Sequence, residues 1–330
     1  MAGKPLRMGI VGCGRAARIH LDRLRTRDDV QIVGCADLNL EAARTLGRQV
    51  SADEPPPAFA DHKELLAKAA PDALAIFTPH LAHYRPAMDA LQAGCHVFIE
   101  KPLSTNAQEA QDIVGLAKGR NLRVGVGHQY RLLPSLVEAR RQVSDGVIGP
   151  LRLVTAVLAA PWLALHQTPG DSWRLDPKIA GGGLLADAGE HLIDALLWTT
   201  GQSAQETAAF QDQQGSGLDL VTAATVRLDY GTLATLGLSG VAPASWFEIS
   251  YFGTSGCIRA TDQALWLEQG GSARSAVALP APTETIDGNF VTAVLGGTPP
   301  CCPADQAVDT VRLLEAISRS AATGQVVRLV

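Results

Sequence analysis

Apolar residues follow two rhythms along the 330-residue chain. Up to residue 126, short and nearly unbroken apolar runs alternate with stretches whose apolar positions recur every three or four residues. The runs predict strands at 6–11, 30–36, 73–77, 96–99 and 123–126. The stretches between them predict helices at 16–26, 40–50, 62–69, 81–93 and 107–118. Strands that are apolar on both faces and separated by helices imply a doubly wound parallel sheet covered on both sides. Beyond residue 127 the pattern predicts a helix over 134–145, a strand over 151–158, a loop rich in Gly, Pro and Trp over 159–183, and a helix over 186–199. From 204 to 268 apolar and polar positions mainly alternate, most clearly in Thr222–Leu228 and Leu233–Leu238. A last helix, 305–322, stops at Gly324. The fold class is α/β: a nucleotide-type domain over 1–126, then an α+β domain over 127–330 for substrate binding and oligomerisation. That second domain is built on a large, mainly antiparallel open sheet. The C-terminal helix 305–322 is expected to pack back near the first domain.

Composition narrows the partners. With 46% hydrophobic and 18% charged residues, the chain can bury large cores. A net charge of −5 gives no basic surface for nucleic acid or an anionic membrane. The six Cys form no CxxC pair, so reduced thiols and no metal site are expected. No stretch resembles a signal peptide or approaches the ~20 apolar residues of a membrane helix, which makes the cytoplasm the expected compartment. Low-charge alternating strands leave an apolar sheet face that another subunit could cover, so a homodimer or homotetramer through the second-domain sheet is expected. Only six of the 28 basic residues are Lys, and Lys101 stands apart, at the end of a strand rather than on a helix face.

The first chemical motif is Gly12-Cys13-Gly14-Arg15-Ala16-Ala17, between the first strand and the first helix. The first glycine permits a tight turn, the second lets backbone approach a pyrophosphate, and Ala17 is small enough for helix–strand packing. The helix N-terminus then offers free N–H groups to phosphates. This is the Rossmann arrangement. Asp37, at the end of the second strand, can accept both ribose hydroxyls of NAD and would repel the 2′-phosphate of NADP, so NAD is favoured; Asn39 is free to cap the next helix instead. Thr78, Pro79, His80 and His83 follow the next parallel strand, at the sheet edge that faces ligands. For His83 a cofactor contact and a plain turn position are equally open.

Two further groups suggest catalysis. In Ile99-Glu100-Lys101-Pro102, the proline keeps Lys101 extended at the crevice end of its strand. In the second domain, Asp187 and His191 are four residues apart on a predicted helix, after Gly181-Gly182-Gly183. A carboxylate beside an imidazole suits a general base near neutral pH. Trp162, His166, Trp173 and Arg174 lie on the loop that is expected to line a specificity pocket, and for Trp162 and His166 plain loop packing is as good a reading.

Taken together, Gly12–His20, Thr78–His83, Ala93–Leu103 with its Glu-Lys-Pro, Gly146–Gly149 and Trp173–Asp194 with its Asp-x-x-x-His resemble the Gfo/Idh/MocA oxidoreductase family over essentially the whole chain. That resemblance implies NAD(P)-dependent hydride transfer between nicotinamide and a secondary alcohol of a sugar, polyol, inositol or sugar acid, with substrate and nicotinamide meeting between the domains. It implies that Lys101, Asp187 and His191 are catalytic, that Glu100 and Lys101 lie by the cofactor, and that Trp173 and Arg174 approach nicotinamide and substrate. Gln129, Tyr130 and Arg131 match a segment near the substrate. Two alternatives stand beside this reading: a non-catalytic NAD(P)-sensing regulator, and an oxidoreductase that retains and recycles its cofactor. The departures from the family pattern are Ala17 in place of a third glycine and His80 where many relatives carry Asn.

Overall fold

The computed structural model describes residues 4–167 and 172–329. The chain divides into two compact units, residues 1–128 with 284–308, and residues 129–283 with 309–330. A single break after residue 126 places 284–308 in the second domain; in the structure this segment returns to the first unit. The return is bonded into place, with Val126 N donating to Cys302 O at 2.9 Å and a bridge joining Gly125 to Pro303.

The first unit holds a six-stranded parallel sheet of β1 (Leu6–Val11), β2 (Val30–Ala36), β3 (Ala58–Phe59), β4 (Ala73–Ile76), β5 (His96–Ile99) and β6 (Val124–Val126), in the order β3-β2-β1-β4-β5-β6. The order reverses direction beside β1, which is the switch point where ligands bind in such sheets. The strands are buried on both faces: every residue of β4 and β6 is buried, as the unbroken apolar runs require. Helices start where the sequence supplies caps. Asn39, Asp61 and Asn106 each accept a backbone N–H from the first turn of the helix that follows.

The second unit holds a nine-stranded mixed sheet: β7 (Leu151–Ala159), β8 (Ala204–Asp212), β9 (Val221–Leu228), β10 (Leu233–Ser239), β11 (Trp246–Gly253), β12 (Gly256–Thr261), β13 (Leu265–Gln269), β14 (Ser275–Ala276) and β15 (Val327–Arg328). Its order is β14-β13-β12-β11-β7-β10-β9-β8-β15. All pairings are antiparallel except β7 with β10. One face packs into a core of Leu136, Val154, Leu192, Ile193, Leu196, Tyr251, Leu313 and Ile317. The other face carries the alternate residues, and β9 shows the alternation in almost every position.

Candidate active site

In the first unit the glycine loop has the conformation its sequence demands. Gly12 has φ +83°, and a Cβ there would lie 2.6 Å from the backbone of Phe77 and Thr78, so only glycine fits. Gly14 is different. A Cβ on it would meet no protein atom within 4 Å, so packing does not require this glycine, and the space in front of it is open to a ligand. The helix that follows, Arg15–Leu24, has no side-chain cap and no acid in its first turn, leaving its N-terminal N–H groups suited to an anion. Ala17 is fully buried against the sheet. These residues fit the pyrophosphate of a dinucleotide. Cys13 contributes its backbone: its N–H donates to Asp37 Oδ2 at 2.7 Å. A hydrogen bond with Cys35, followed by burial, pushes the Cys13 thiol far above its ordinary pKa, which keeps it protonated. Asp37 Oδ1 accepts from Asn39 N at 2.8 Å, and the Asn39 side chain caps the next helix, so Asp37 is released from capping.

The loop after β4 is held from within. Thr78 Oγ1 donates to Ala82 O at 3.0 Å, and Pro79 precedes a short 3₁₀ turn at His80–Ala82. The α-helix then begins at Tyr84, three residues later than the periodicity suggests. His80 is buried, with its ring 6.0 Å from that of His83. His83 is fully buried, with Nδ1 2.6 Å from Pro102 O and Nε2 2.8 Å from Thr78 O. Its ring lies between backbone carbonyls of two loops, and the neutral imidazole donates its single N–H to one of them. Burial pushes its pKa below the ordinary value, and the carbonyls pull it back only in part.

Lys101 is 8% exposed at the end of β5. Its backbone N–H donates to Glu100 Oε2 at 3.1 Å, while Glu100 Oε1 lies 2.9 Å from His20 Nε2. His20 closes the Gly12–His20 segment, and its contact with Glu100, 80 positions on, arises only in the tertiary structure. His20 also stacks on Phe77, with ring centroids 4.7 Å apart.

In the second unit the helix carrying Asp187 and His191 does not begin as an α-helix. Leu185–Gly189 form a π turn, with Gly189 N donating to Leu184 O five residues back at 2.8 Å, and the α-helix runs over Glu190–Thr200. Gly189 permits this, since a Cβ there would lie 2.6 Å from Leu238. The turn is anchored by Asp219, whose carboxylate accepts from Gly183 N at 2.5 Å and Leu185 N at 2.6 Å. Burial raises the Asp219 pKa above its ordinary value. The sequence signal for this residue was an acid between two apolar positions, Leu218-Asp219-Leu220.

Asp187 is buried, and its Oδ2 collects donors: Trp162 Nε1 at 2.7 Å and Arg174 Nε at 3.1 Å, with His166 Nε2 at 3.6 Å. Trp162 and His166 therefore do more than fill the loop. The Arg174 guanidinium lies over the Trp173 ring, 4.4 Å from its centre. Residues 168–171 of the expected specificity loop lie outside the described residues. His191 stacks against Tyr130, with ring centroids 4.6 Å apart and planes 13° from parallel, and Phe247 meets Tyr130 edge-on. Arg131 is placed beside Asp194. It is 3% exposed, and its Nε and Nη2 grip Asp194 at 2.9 and 2.7 Å. That ion pair is buried, and the neighbouring Tyr130 stacks on His191. Gln129, beside them, is exposed.

The sheet order, the tight glycine turn and the open space at Gly14 define a Rossmann-type dinucleotide-binding domain. Residues 6–128 match the profile of the oxidoreductase family with an NAD-binding Rossmann fold, and residues 136–259 that of the GFO/IDH/MocA C-terminal domain. The chain belongs to the Gfo/Idh/MocA family, and its first unit is that family's NAD-binding domain. It is 30% identical over 206 residues to D-glucoside 3-dehydrogenase of Escherichia coli K12, covering 61% of this chain and 56% of that one. It thus spans little more than half of that relative. With the rhizopine catabolism protein MocA of Rhizobium meliloti it shares 27% over 330 residues, covering 94% of this chain and 93% of the relative. An oxidoreductase domain protein from Kribbella flavida superposes with a TM-score of 0.88 at 22% identity, over 99% of this chain and all of that one; that likeness concerns the fold.

Proposed function

We propose that the protein is an NAD-dependent dehydrogenase of a secondary alcohol on a sugar, polyol, inositol or sugar acid. The observation that carries this reading is the buried Lys101 at the C-terminal end of β5, in the unit that binds NAD, on the turn that follows the nucleotide-facing strands. Bound NAD⁺ supplies the hydride acceptor. Neutral His191 takes the hydroxyl proton, because a neutral imidazole has a lone pair to accept it. The Lys101 ammonium is suited to donate to a substrate oxygen and to stabilise negative charge that develops there, a role that fits a compact point charge. The Asp187 carboxylate, held by Trp162 and Arg174, accepts a hydrogen bond from substrate or from His191. Stacking on Tyr130 fixes the plane of the His191 ring. Asp37 in place of a cation favours NAD over NADP.

The names of the sugar-acting relatives support the substrate class. The test is an NAD-reduction screen over polyols, aldoses, sugar acids and inositols, followed by Lys101→Ala and His191→Ala on the substrate found. Each variant is expected to lose on the order of 10²–10⁴-fold in kcat while NAD affinity, measured separately, stays within a few-fold. Near-wild-type turnover in both would overturn the assignment.

A further inference from the structure

The turn bearing Lys101 is gripped at both ends by histidines that do not themselves carry the proposed chemistry. On its N-terminal side, Glu100 joins the Lys101 backbone N–H to His20 through its two carboxylate oxygens, at 3.1 and 2.9 Å. Space for that carboxylate comes from Gly127, where a Cβ would stand 2.9 Å from Glu100 Oε1. His20 in turn faces Asp287, with Nδ1 3.7 Å from Oδ1, an ion-pair distance rather than a hydrogen bond. Asp287 lies on helix Ile286–Gly296, within the segment that returns to the first unit, and is 2% exposed. On the C-terminal side, His83 reaches Pro102 O at 2.6 Å. All of these groups belong to the first unit.

We propose that His20 and His83 are positioning residues that set the Lys101 side chain by bracing the two sides of its turn, with Asp287 holding His20. This rests on the role given to Lys101 above. A buried carboxylate such as Asp287 is costly unless a cation compensates it, and here His20 at 3.7 Å and Arg23 Nη1 at 3.5 Å do so. Those two carboxylates fix the state of His20. Burial by itself lowers its pKa, but Asp287 and Glu100 outweigh burial and raise it from 6.5 to about 9. The charged groups facing His20 are Glu100 from the end of β5, Asp287 from the returning helix, and Arg23 beyond Asp287; its other neighbours, Phe77 and Phe98, are uncharged. At neutral pH His20 is therefore an imidazolium donating to Glu100. Loss of its proton above about pH 9 would loosen Glu100 and, through it, the Lys101 turn.

The experiment is a double-mutant cycle on the full-length enzyme with saturating NAD, crossing Asp287→Asn with Lys101→Met. Asp287→Asn keeps the shape of the side chain and is expected to lower kcat about tenfold with NAD affinity within twofold, and to move the alkaline limb of the kcat profile to lower pH. In the Lys101→Met background the same substitution is expected to cost less than about twofold, because the group it positions is gone. His83→Gln and His20→Gln are expected to show the same non-additivity. An Asp287→Asn effect that multiplies fully onto Lys101→Met, or an unmoved alkaline limb, would overturn the proposal. Near-wild-type turnover of Lys101→Met alone would instead remove the reading of Lys101 itself, and the two failures are read from different corners of the cycle. A melting temperature for each variant separates misfolding from misplacement, and Asp287→Asn keeps the test open if His83→Gln does not fold.

Discussion

The two sheets handle their faces in opposite ways. In the first, helices cover both sides, and the candidate site residues sit at the C-terminal edge: Gly12 to Ala17 after β1, Asp37 after β2, Thr78 after β4 and Lys101 after β5. In the second, only one face is covered, and the candidate catalytic residues lie on the π turn and helix at 185–200 rather than on the strands. On the open face Leu153 pairs with Leu233 and Phe252, Phe210 lies in register with Ala223, and Val157 and Trp246 stand on the same side. Their exposures reach 80% at Phe210 and 55% at Trp246. An apolar face of that kind is an interaction surface. The contrast teaches that the parallel sheet is covered on both faces within one chain, whereas the mixed sheet leaves apolar side chains exposed on one face.

Four outcomes sharpen or break this contrast. The first separates the two glycines of the nucleotide loop. Gly12→Val is expected to weaken NAD binding by at least about 100-fold and to lower the melting temperature, because its Cβ collides with backbone 2.6 Å away. Gly14→Val should fold normally and still lose affinity, since only the ligand occupies that space; equal affinity to wild type would mean that the pyrophosphate lies elsewhere. Calorimetric titration and thermal melts read both.

The second addresses the open face. The intact protein is expected to be a dimer or tetramer by light scattering, and Val157→Asp with Phe210→Asp to reduce it to monomer. A wild-type monomer would refute the covering role.

The third is a pH effect on stability confined to the first unit. His20 has a raised folded-state pKa of about 9, so its contribution is full below 6.5 and is lost as pH rises through 9. Asp287, lowered chiefly by His20 against the opposing effect of burial, contributes above its unfolded value near 3.8 and is lost as pH falls below that. Wild type should lose up to about 3 kcal/mol between pH 6.5 and pH 9.5 by denaturant melts, and His20→Gln should flatten that slope. The same slope in the variant would place its origin in other groups.

The smallest effect belongs to the second unit. Trp162→Phe removes one donor to Asp187 while keeping an aromatic ring, and should cost about tenfold in kcat/KM. Trp162→His, which restores an N–H, should recover part of that loss; no change in either variant would leave Trp162 as packing.

Much of the first sheet is legible in the sequence because its signals are local. β1 and β2 coincide with their apolar runs, and Asn39, Asp61 and Asn106 mark helix starts through their own side chains. β3 escaped, since Ala58–Phe59 is two residues long and leaves no period to read. The π turn at 185–189 escaped for a different reason: it depends on Gly189 fitting against Leu238, a strand some fifty positions on. The partners of the site residues are equally non-local. Nothing near Asp187 announces Trp162, nothing near Arg131 announces Asp194, and nothing near His20 announces Asp287, 267 positions away. Composition and spacing identify chemical groups, but which of them neutralise each other is decided by tertiary packing. Arg131 is an example: its ion pair with Asp194, 63 positions on, leaves no trace in the local sequence.

The return of residues 284–308 to the first unit also has a consequence for synthesis. Domains tend to fold as they leave the ribosome, in chain order, at roughly 5–20 residues per second. Here the first unit stands without Asp287 and without the Cys302 and Pro303 contacts on β6 until 155 further residues, 129–283, have been made. At that speed the wait is roughly 10 to 30 seconds. A unit begun before residues 129–283 is thus finished only after them, and through that interval the strand edge at β6 and the side of His20 that Asp287 later faces are open to the chaperones that attend a growing chain.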